Sequence, residues 1–359
     1  LRNSGRVAGF GSMTGELSIT DPQHRPHPEG AFKAFWMRYL NDERDLPFIW
    51  LSLAMTAVLV PFAVVLFATD LAYWWLAPVY WAVLFGAFFD RYILMLHNTS
   101  HRRLFKRKYK VFNHYIPWVL GPFCGETPET YFVHHMTMHH AEGNMPDDLS
   151  STMPYQRDDW RHFFVYWARF FFFVLPEMAR YQLKRGRRTV LRRLLVGELG
   201  YYAVMIGLAF ISWKATLVVF IVPFLLARFL MMCGNWGQHA FVDADDPANS
   251  YKNSITCINT AYNRRCFNDG YHIGHHVTAN RHWTDMPRDF LDNRATYVKE
   301  DAVVFEGIDF FMVWAFLMLR RYDWLAERFV ELRDEPRSKE EIIALLKRRT
   351  RRFENLATA

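Results

Sequence analysis

Histidines in this 359-residue chain recur at spacings that bring side chains together. His97 and His101 stand at i, i+4; His135, His139 and His140 at i, i+4 and i+5; His272, His275 and His276 at i, i+3 and i+4. His239 follows Asn235 by four residues. On a helical backbone, residues three and four apart share a face, and neutral imidazole is the commonest metal ligand. Scattered surface histidines would account for one such pair, not for four groups. Nine imidazoles exceed what one tetrahedral zinc takes and suit two metal ions with four or five nitrogen ligands each. Imidazole serves zinc, copper, iron and nickel alike, so donor type leaves the metal open. A carboxylate-bridged di-iron bundle would carry Glu-x-x-His pairs, and no Glu stands three residues before a His. A zinc hydrolase would want His-Glu-x-x-His, with Glu as general base; that motif is absent.

Other residues near these groups divide into candidates and bystanders. Asp90 lies seven residues before His97, on the same helical face, where it could accept the second ring N–H of a ligand. It also neighbours Arg91, so a polar position at a membrane boundary is the competing reading. His134 is one step off the His135 face and reads as a supporting or surface residue. His282 reads as a cap or a solvent-facing side chain; His24, His27, His114 and His162 read as bystanders. Glu198 and Arg228 fall inside apolar runs, where charges mark function or internal pairing.

The elements that must carry the histidines are apolar. Of all residues 51% are hydrophobic and 17% aromatic, with 32 Phe and 13 Trp, a composition suited to lipid contact and interfacial belts. The mean hydropathy of −0.09 averages apolar spans with charged connectors. The net charge of +7 clusters beside those spans, which favours anionic headgroups over nucleic acid. Cys124, Cys233, Cys257 and Cys266 lack Cys-x-x-Cys spacing and read as reduced, packed thiols.

Pro47 to Thr69 is long enough to cross a bilayer, Asp70 marks a turn, and Leu71 to Leu96 crosses back. His97 follows where that second helix leaves the membrane. Six basic residues then fall within 102–110, which assigns this end to the cytoplasm or its organellar equivalent. Val111 to Cys124 is apolar but too short to span and reads as interfacial or re-entrant. Trp160 to Met178 is dense in Phe but interrupted by Arg161, His162 and Arg169, and is expected to lie in the interface rather than cross. After a second basic cluster at 184–193, Leu194 to Trp213 and Ala215 to Gly234 make a second hairpin, turning at Lys214. Four spans place every histidine group on one side, the basic side.

Residues 1–46 form an N-terminal extension without a cleavable apolar signal. Within it, Gly9, Gly11 and Gly15 have the wrong spacing for a dinucleotide fingerprint, and His27-Pro28-Glu29-Gly30 only superficially matches a haem-binding motif. Residues 47–320 form the membrane domain and 321–359 a basic C-terminal helical tail. Asp309 to Leu319 is too short to span and is expected to dock at the interface. Ser338 to Arg352 reads as an amphipathic helix, with Ser338 as N-cap, Glu341 three residues on, and an apolar stripe of Ile342, Leu345 and Leu346.

The order His97-x3-His101, His135-x3-His139-His140, His272-x2-His275-His276 resembles the three histidine boxes of membrane fatty acid desaturases and related hydroxylases. Asn235-x3-His239 is similar to an element of acyl-CoA desaturases in which the histidine is a ligand and the asparagine reaches iron through water. The resemblance covers about Pro47 to His282. It implies an all-α integral membrane fold, with four transmembrane helices in two hairpins under a helical cytosolic cap carrying the boxes. It implies a non-haem di-iron centre, two Fe ions held by His97, His101, His135, His139, His140, His239, His272, His275 and His276. The implied reaction is O2-dependent oxidation of an unactivated C–H bond in an acyl chain, most simply desaturation, in the endoplasmic reticulum or an organellar membrane.

The chain carries no haem, flavin or ferredoxin segment, so electrons must come from an external donor, cytochrome b5 or ferredoxin by the resemblance. The other expected partners are the lipid or acyl substrate and membrane lipids, with no nucleic acid. Two rivals remain at this level: a lipid or alkyl hydroxylase or ketolase with the same boxes, and a structural subunit of a larger membrane assembly built on the same scaffold.

Overall fold

A computed structural model describes residues 17–69 and 73–354. The Asp70 turn and the glycines of the first sixteen residues lie outside the described residues. The chain is mostly helical, and three helical runs are long and apolar enough to cross a membrane: Glu43–Ala68, Trp75–His101 and Arg188–Gln238. Each is built from Leu, Val, Phe and Ala with few charges, so its backbone groups are satisfied within the helix and its side chains tolerate lipid.

The third run is 51 residues long, and it is not straight. In one continuous helix, residues 30 apart would be about 45 Å from each other, yet Arg228 Nη2 lies 2.6 Å from Glu198 Oε1. The chain therefore folds back on itself. The break falls at Ser212, whose φ/ψ of −154°/100° is not helical and whose Oγ accepts from the Ala215 N–H at 3.3 Å. That is two residues before the expected turn at Lys214: a side-chain oxygen that caps the returning helix decides the position. Glu198 and Arg228 thus form the mutual pair that their intramembrane placement suggested, and the Thr130 and Tyr202 hydroxyls complete the shell around the carboxylate. In apolar surroundings each of these charges would be costly alone.

The 111–124 stretch enters the helical core instead of crossing it. It forms short turns at Arg107–His114, Ile116–Leu120 and Gly121–Cys124. Tyr115 Oη meets Thr56 Oγ1 at 2.6 Å, and Tyr92 Oη donates to the Ile116 carbonyl at 3.2 Å. Gly125 closes the segment with φ +76°, where an added Cβ would stand 2.3 Å from the Pro223 carbonyl; only glycine permits both the left-handed turn and that approach. Trp160–Lys184 is a single 25-residue helix that packs Phe163, Tyr166, Val174 and Met178 inward. It is not among the runs apolar enough to cross.

Two short parallel strands, Ile255–Ile258 and Val303–Glu306, pair with Ile255 opposite Val303. The Phe310–Met318 helix packs Phe310, Val313 and Leu317 into the same core as Phe241 and Phe305. The C-terminal helix Lys339–Arg349 carries the expected capping box at Ser338 and Glu341 and buries Ile342, Leu345 and Leu346. It is also tied down by Arg349, whose buried guanidinium pairs with Asp243 at 2.7 Å and with Asp301 at 3.4 Å.

Candidate metal centre

The nine box histidines converge, and they do so as two groups. Potential ligand atoms of His97, His101, His135, His140 and His275 all lie within 4.8 Å of one another, and so do those of His139, His239, His272 and His276. The groups touch: the His140 and His276 ring centroids are 5.0 Å apart.

Local backbone decides which histidine joins which group. His97 and His101 share one face of the Phe89–His101 helix and both enter the first group. His135 and His140 would be about 140° apart around an α-helix. His135–His139 is instead a π turn, whose i to i+5 bonding widens the helix and brings residues five apart into line. His135 and His140 then face the first group, while His139, between them, turns to the second. In the His272–Val277 helix, His272 and His276 share a face and join the second group, and His275 joins the first. His239 ends the Val222–Gln238 helix and completes the second group.

Residues around the third box fix the entry to that helix. The Gly270 carbonyl accepts from Cys257 N at 2.7 Å, and a Cβ on Gly270 would sit 2.3 Å from the Cys257 carbonyl oxygen. Phe267 and Asn268 both adopt φ +53°, an unfavourable conformation for an aromatic residue. It delivers Asp269 to His97, at 3.1 Å from Nδ1. Asp21, buried in the N-terminal segment, ties the region together: it accepts from Asn259 N at 2.7 Å, Asn263 Nδ2 at 2.9 Å and Tyr271 Oη at 2.7 Å.

Convergence of nitrogens is the observation that fits a metal. Pairs of Nε2 atoms lie at 2.9 Å for His97 and His275, 2.9 Å for His101 and His135, 2.9 Å for His140 and His275, and 3.1 Å for His140 and His135. In the second group the separations are 3.2 Å between His239 and His272 and 3.0 Å between His272 and His276. Nitrogens bound to one ion at about 2.1 Å in adjacent positions stand about 3 Å apart, so the spacing suits a shared cation. An Nδ1–H donated to Asp269 leaves His97 Nε2 as the lone-pair side, and Asp148, 2.7 Å from His139 Nδ1, acts likewise. His239 Nδ1 faces the Asn253 carbonyl at 3.0 Å.

Burial sets the protonation of these rings. It holds His135, His272, His275 and His276 well below the ordinary imidazole range, and neighbouring imidazoles add to the effect. His239 is pushed down to about 4 by burial and by His139, against an opposing hydrogen bond to the Asn253 backbone. All are therefore neutral, which is the ligating form. Burial works against charge on Asp148, but His139 and His134 beside it keep its carboxyl well below the usual carboxylate range.

A cavity of ≈ 380 Å³ reaches both groups, touching His97 and His135 of the first and His139 and His272 of the second. Its far walls are apolar: Phe85, Phe89, Ile93, Leu230, Met231 and Phe311. Asn235 lines it while donating to the Ser150 carbonyl at 2.9 Å and to Tyr166 Oη at 2.7 Å.

Two expectations change. Asp90 also lines the cavity, but its carboxylate pairs with Arg265, one contact being 2.9 Å. The carboxylate on His97 is Asp269, because the chain before the third box turns inward. His282 is a cap, as expected, accepting from Thr284 N at 3.2 Å, but it is buried, with Nε2 3.1 Å from Asp45 Oδ1, and belongs to neither group. His134 stands beside the second group, with Nε2 3.7 Å from Asp148 Oδ1. Sequence reading missed Asp148, Asp269 and Asn253. An acid three residues before His272 was visible for Asp269 alone; the other two are brought in by the fold.

Residues 73–308 match the fatty acid desaturase family, and the chain belongs to that family. No curated protein and no solved structure matches it.

Proposed function

We propose that this protein is a membrane-bound oxidoreductase that uses O2 to oxidise a long acyl chain, most simply by desaturation, at a pair of iron ions held by its nine box histidines. The observation that carries the reading is the juxtaposition of two converging imidazole groups with an apolar cavity that touches both. His97, His101, His135, His140 and His275 would hold one ion, and His139, His239, His272 and His276 the other. Bound iron would supply reductive O2 activation and abstraction of hydrogen from an unactivated carbon.

The chain's own residues do the rest. Phe85, Phe89, Ile93, Leu230 and Phe311 give an acyl chain an apolar path and exclude water from it. Asp269, Asp148 and Asn253 fix the orientation and tautomer of His97, His139 and His239. Asn235, its amide nitrogen anchored on Ser150 and Tyr166, lines the cavity and would position a water there. Two electrons per turnover come from a separate donor, cytochrome b5 or ferredoxin. In the membrane, the Arg188–Gln238 run would cross twice, giving four spans with the boxes on the cytosolic or equivalent side.

The test is mass spectrometry of lipids from cells that express wild type or His272→Ala, with matched reductase and electron carrier. A loss of two mass units from an acyl chain in wild type alone is the expected result; a gain of sixteen would instead assign hydroxylation. Neither change with several donor systems, from protein verified to hold iron, would remove the catalytic reading.

A further inference from the structure

A second, larger recess lies on the other side of the His97–His101 helix from the acyl cavity. It encloses ≈ 960 Å³ between Leu96, Thr99 and Arg103 on one side, Arg107 to Pro117 on another, and Pro128 to Met136 with Arg193 on the third. Its cations are Arg103, Arg107, Lys110 and Arg193. Arg193 is engaged, with Nη2 2.7 Å from Glu129 Oε2 and its guanidinium stacked over Phe132. That pair, with Trp118 Nε1 donating to Glu129 Oε1 at 2.9 Å, accounts for the carboxylate in the lining. Arg103, Arg107 and Lys110 are exposed, and none has an acidic partner among the described residues. Three cations are thus held around one groove with no anion to meet them.

Its level relative to the bilayer follows from the spans. The groove sits where the Trp75–His101 run ends and the Arg188–Gln238 run begins. Apolar surface leads away from it on both flanks: Val111 is 66% and Val119 40% exposed on one, and Val196 and Leu199 52% and 53% exposed on the other. A ligand with a polar anionic head and an apolar body would satisfy both parts, whereas a soluble phosphate compound would leave the apolar flanks uncovered. Basic recesses between helix ends at the interface recognise anionic headgroups in this way.

We propose that this groove is a binding site for an anionic phospholipid of the surrounding bilayer, its phosphate held by Arg103, Arg107 and Lys110 and its tails lying against Val111, Val119, Val196 and Leu199. The site is distinct from the acyl cavity and does not depend on the reaction proposed above. It touches the metal centre at one point, since His101 forms part of its wall, so the lipid would also cover that side of the first histidine group.

The test uses full-length protein in detergent micelles and reads bound lipid by native mass spectrometry, titrating phosphatidylglycerol and phosphatidylcholine separately. Wild type is expected to retain phosphatidylglycerol in preference to phosphatidylcholine. The triple variant Arg103→Gln, Arg107→Gln, Lys110→Gln should lose about tenfold or more of that affinity. A control triple, Lys108→Gln, Lys184→Gln, Arg188→Gln, removes the same charge from exposed positions outside the groove and should retain it. All three proteins are first matched for melting temperature and metal content. Equal losses in the two triples would mean general surface charge and overturn the site, as would equal retention of both lipids by wild type. Saturable binding of inorganic pyrophosphate that displaces phosphatidylglycerol from wild type at equal concentration would assign the groove to soluble phosphates and also overturn the proposal.

Discussion

The two histidine groups use the same donor atom but are held in different ways. The five-imidazole group hangs from helix ends, and its outer support is Asp269, which faces His97 Nδ1 at 3.1 Å and accepts from Tyr262 Oη at 3.0 Å. His101 and His140 within it are only half-buried. The four-imidazole group rests on a polar network that supports His139 and His239. Asp148 accepts from Ser150 N at 2.9 Å and Ser150 Oγ at 2.8 Å while facing His139 at 2.7 Å. Asn144 Nδ2 donates to Asn253 Oδ1 at 2.8 Å, Asn253 faces His239, and Thr152 Oγ1 donates to the His239 carbonyl at 2.7 Å. Fewer ligands are thus matched by more outer-shell bonds. Preorganisation of a metal site resides in such partners as much as in the ligands, so the groups should respond differently to the same kind of perturbation.

Removing a ligand is the harshest way to break the comparison. His275→Ala is expected to empty the first group and His272→Ala the second, each leaving metal at the other and each abolishing oxidation. Elemental analysis of anaerobically purified protein reads this directly. Loss of all metal in both variants would mean one shared site instead of two.

Outer-shell carboxylates come next. Asp148→Asn and Asp269→Asn should each weaken metal retention by about 10–100-fold against a graded chelator. Asp148→Asn should be the worse, because Asp148 also organises Ser150 and Asn144. Equal effects, or a larger one at Asp269, would contradict the account of how the second group is held.

Acid should weaken both groups, since each holds buried neutral rings. His239 titrates near 4 in the folded protein and near the ordinary imidazole value of about 6.5 when unfolded. Between these limits the unfolded chain binds a proton that the folded one excludes, so stability is full above about pH 6.5 and falls as pH drops towards 4. Metal-depleted protein should therefore melt at progressively lower temperature across that window, and His239→Gln should lessen the slope by its own share, the other buried rings keeping theirs. A melting temperature that rises on acidification would refute the assignment of His239 as a buried neutral ring.

The smallest effect is expected at His282. It is buried and bonded to Asp45 and Thr284 but lies in neither group. His282→Ala should keep its metal and lose only about 1–3 kcal/mol of stability from the orphaned Asp45, read as a modest shift in thermal midpoint. Metal loss as large as that of His275→Ala would mean that His282 is a ligand after all.

Much of this protein is legible from local pattern. Apolar runs marked the three helical runs long and apolar enough to cross a membrane, because lipid would impose composition directly on sequence. The capping box at Ser338 and its stripe of Ile342, Leu345 and Leu346 were equally plain, since a cap and an amphipathic face are local arrangements. The nine histidines stood out because i, i+3 and i+4 spacings already imply proximity.

What the tertiary structure alone decided is how those histidines divide. His139 and His140 are adjacent in sequence yet serve different groups, because a π turn lines up His140, in place of His139, with His135. Asp269 replaced Asp90 beside His97 because a pair of left-handed residues turns the chain inward, which no spacing rule encodes. Asp148 reaches His139 through a loop that turns back nine residues later, and Asn253 reaches His239 from a segment held by a bond to Gly143, 110 residues away along the chain. Spacing along a helix determines which side chains are neighbours within one element; which element meets which, and with what outer partner, is settled only when the elements pack.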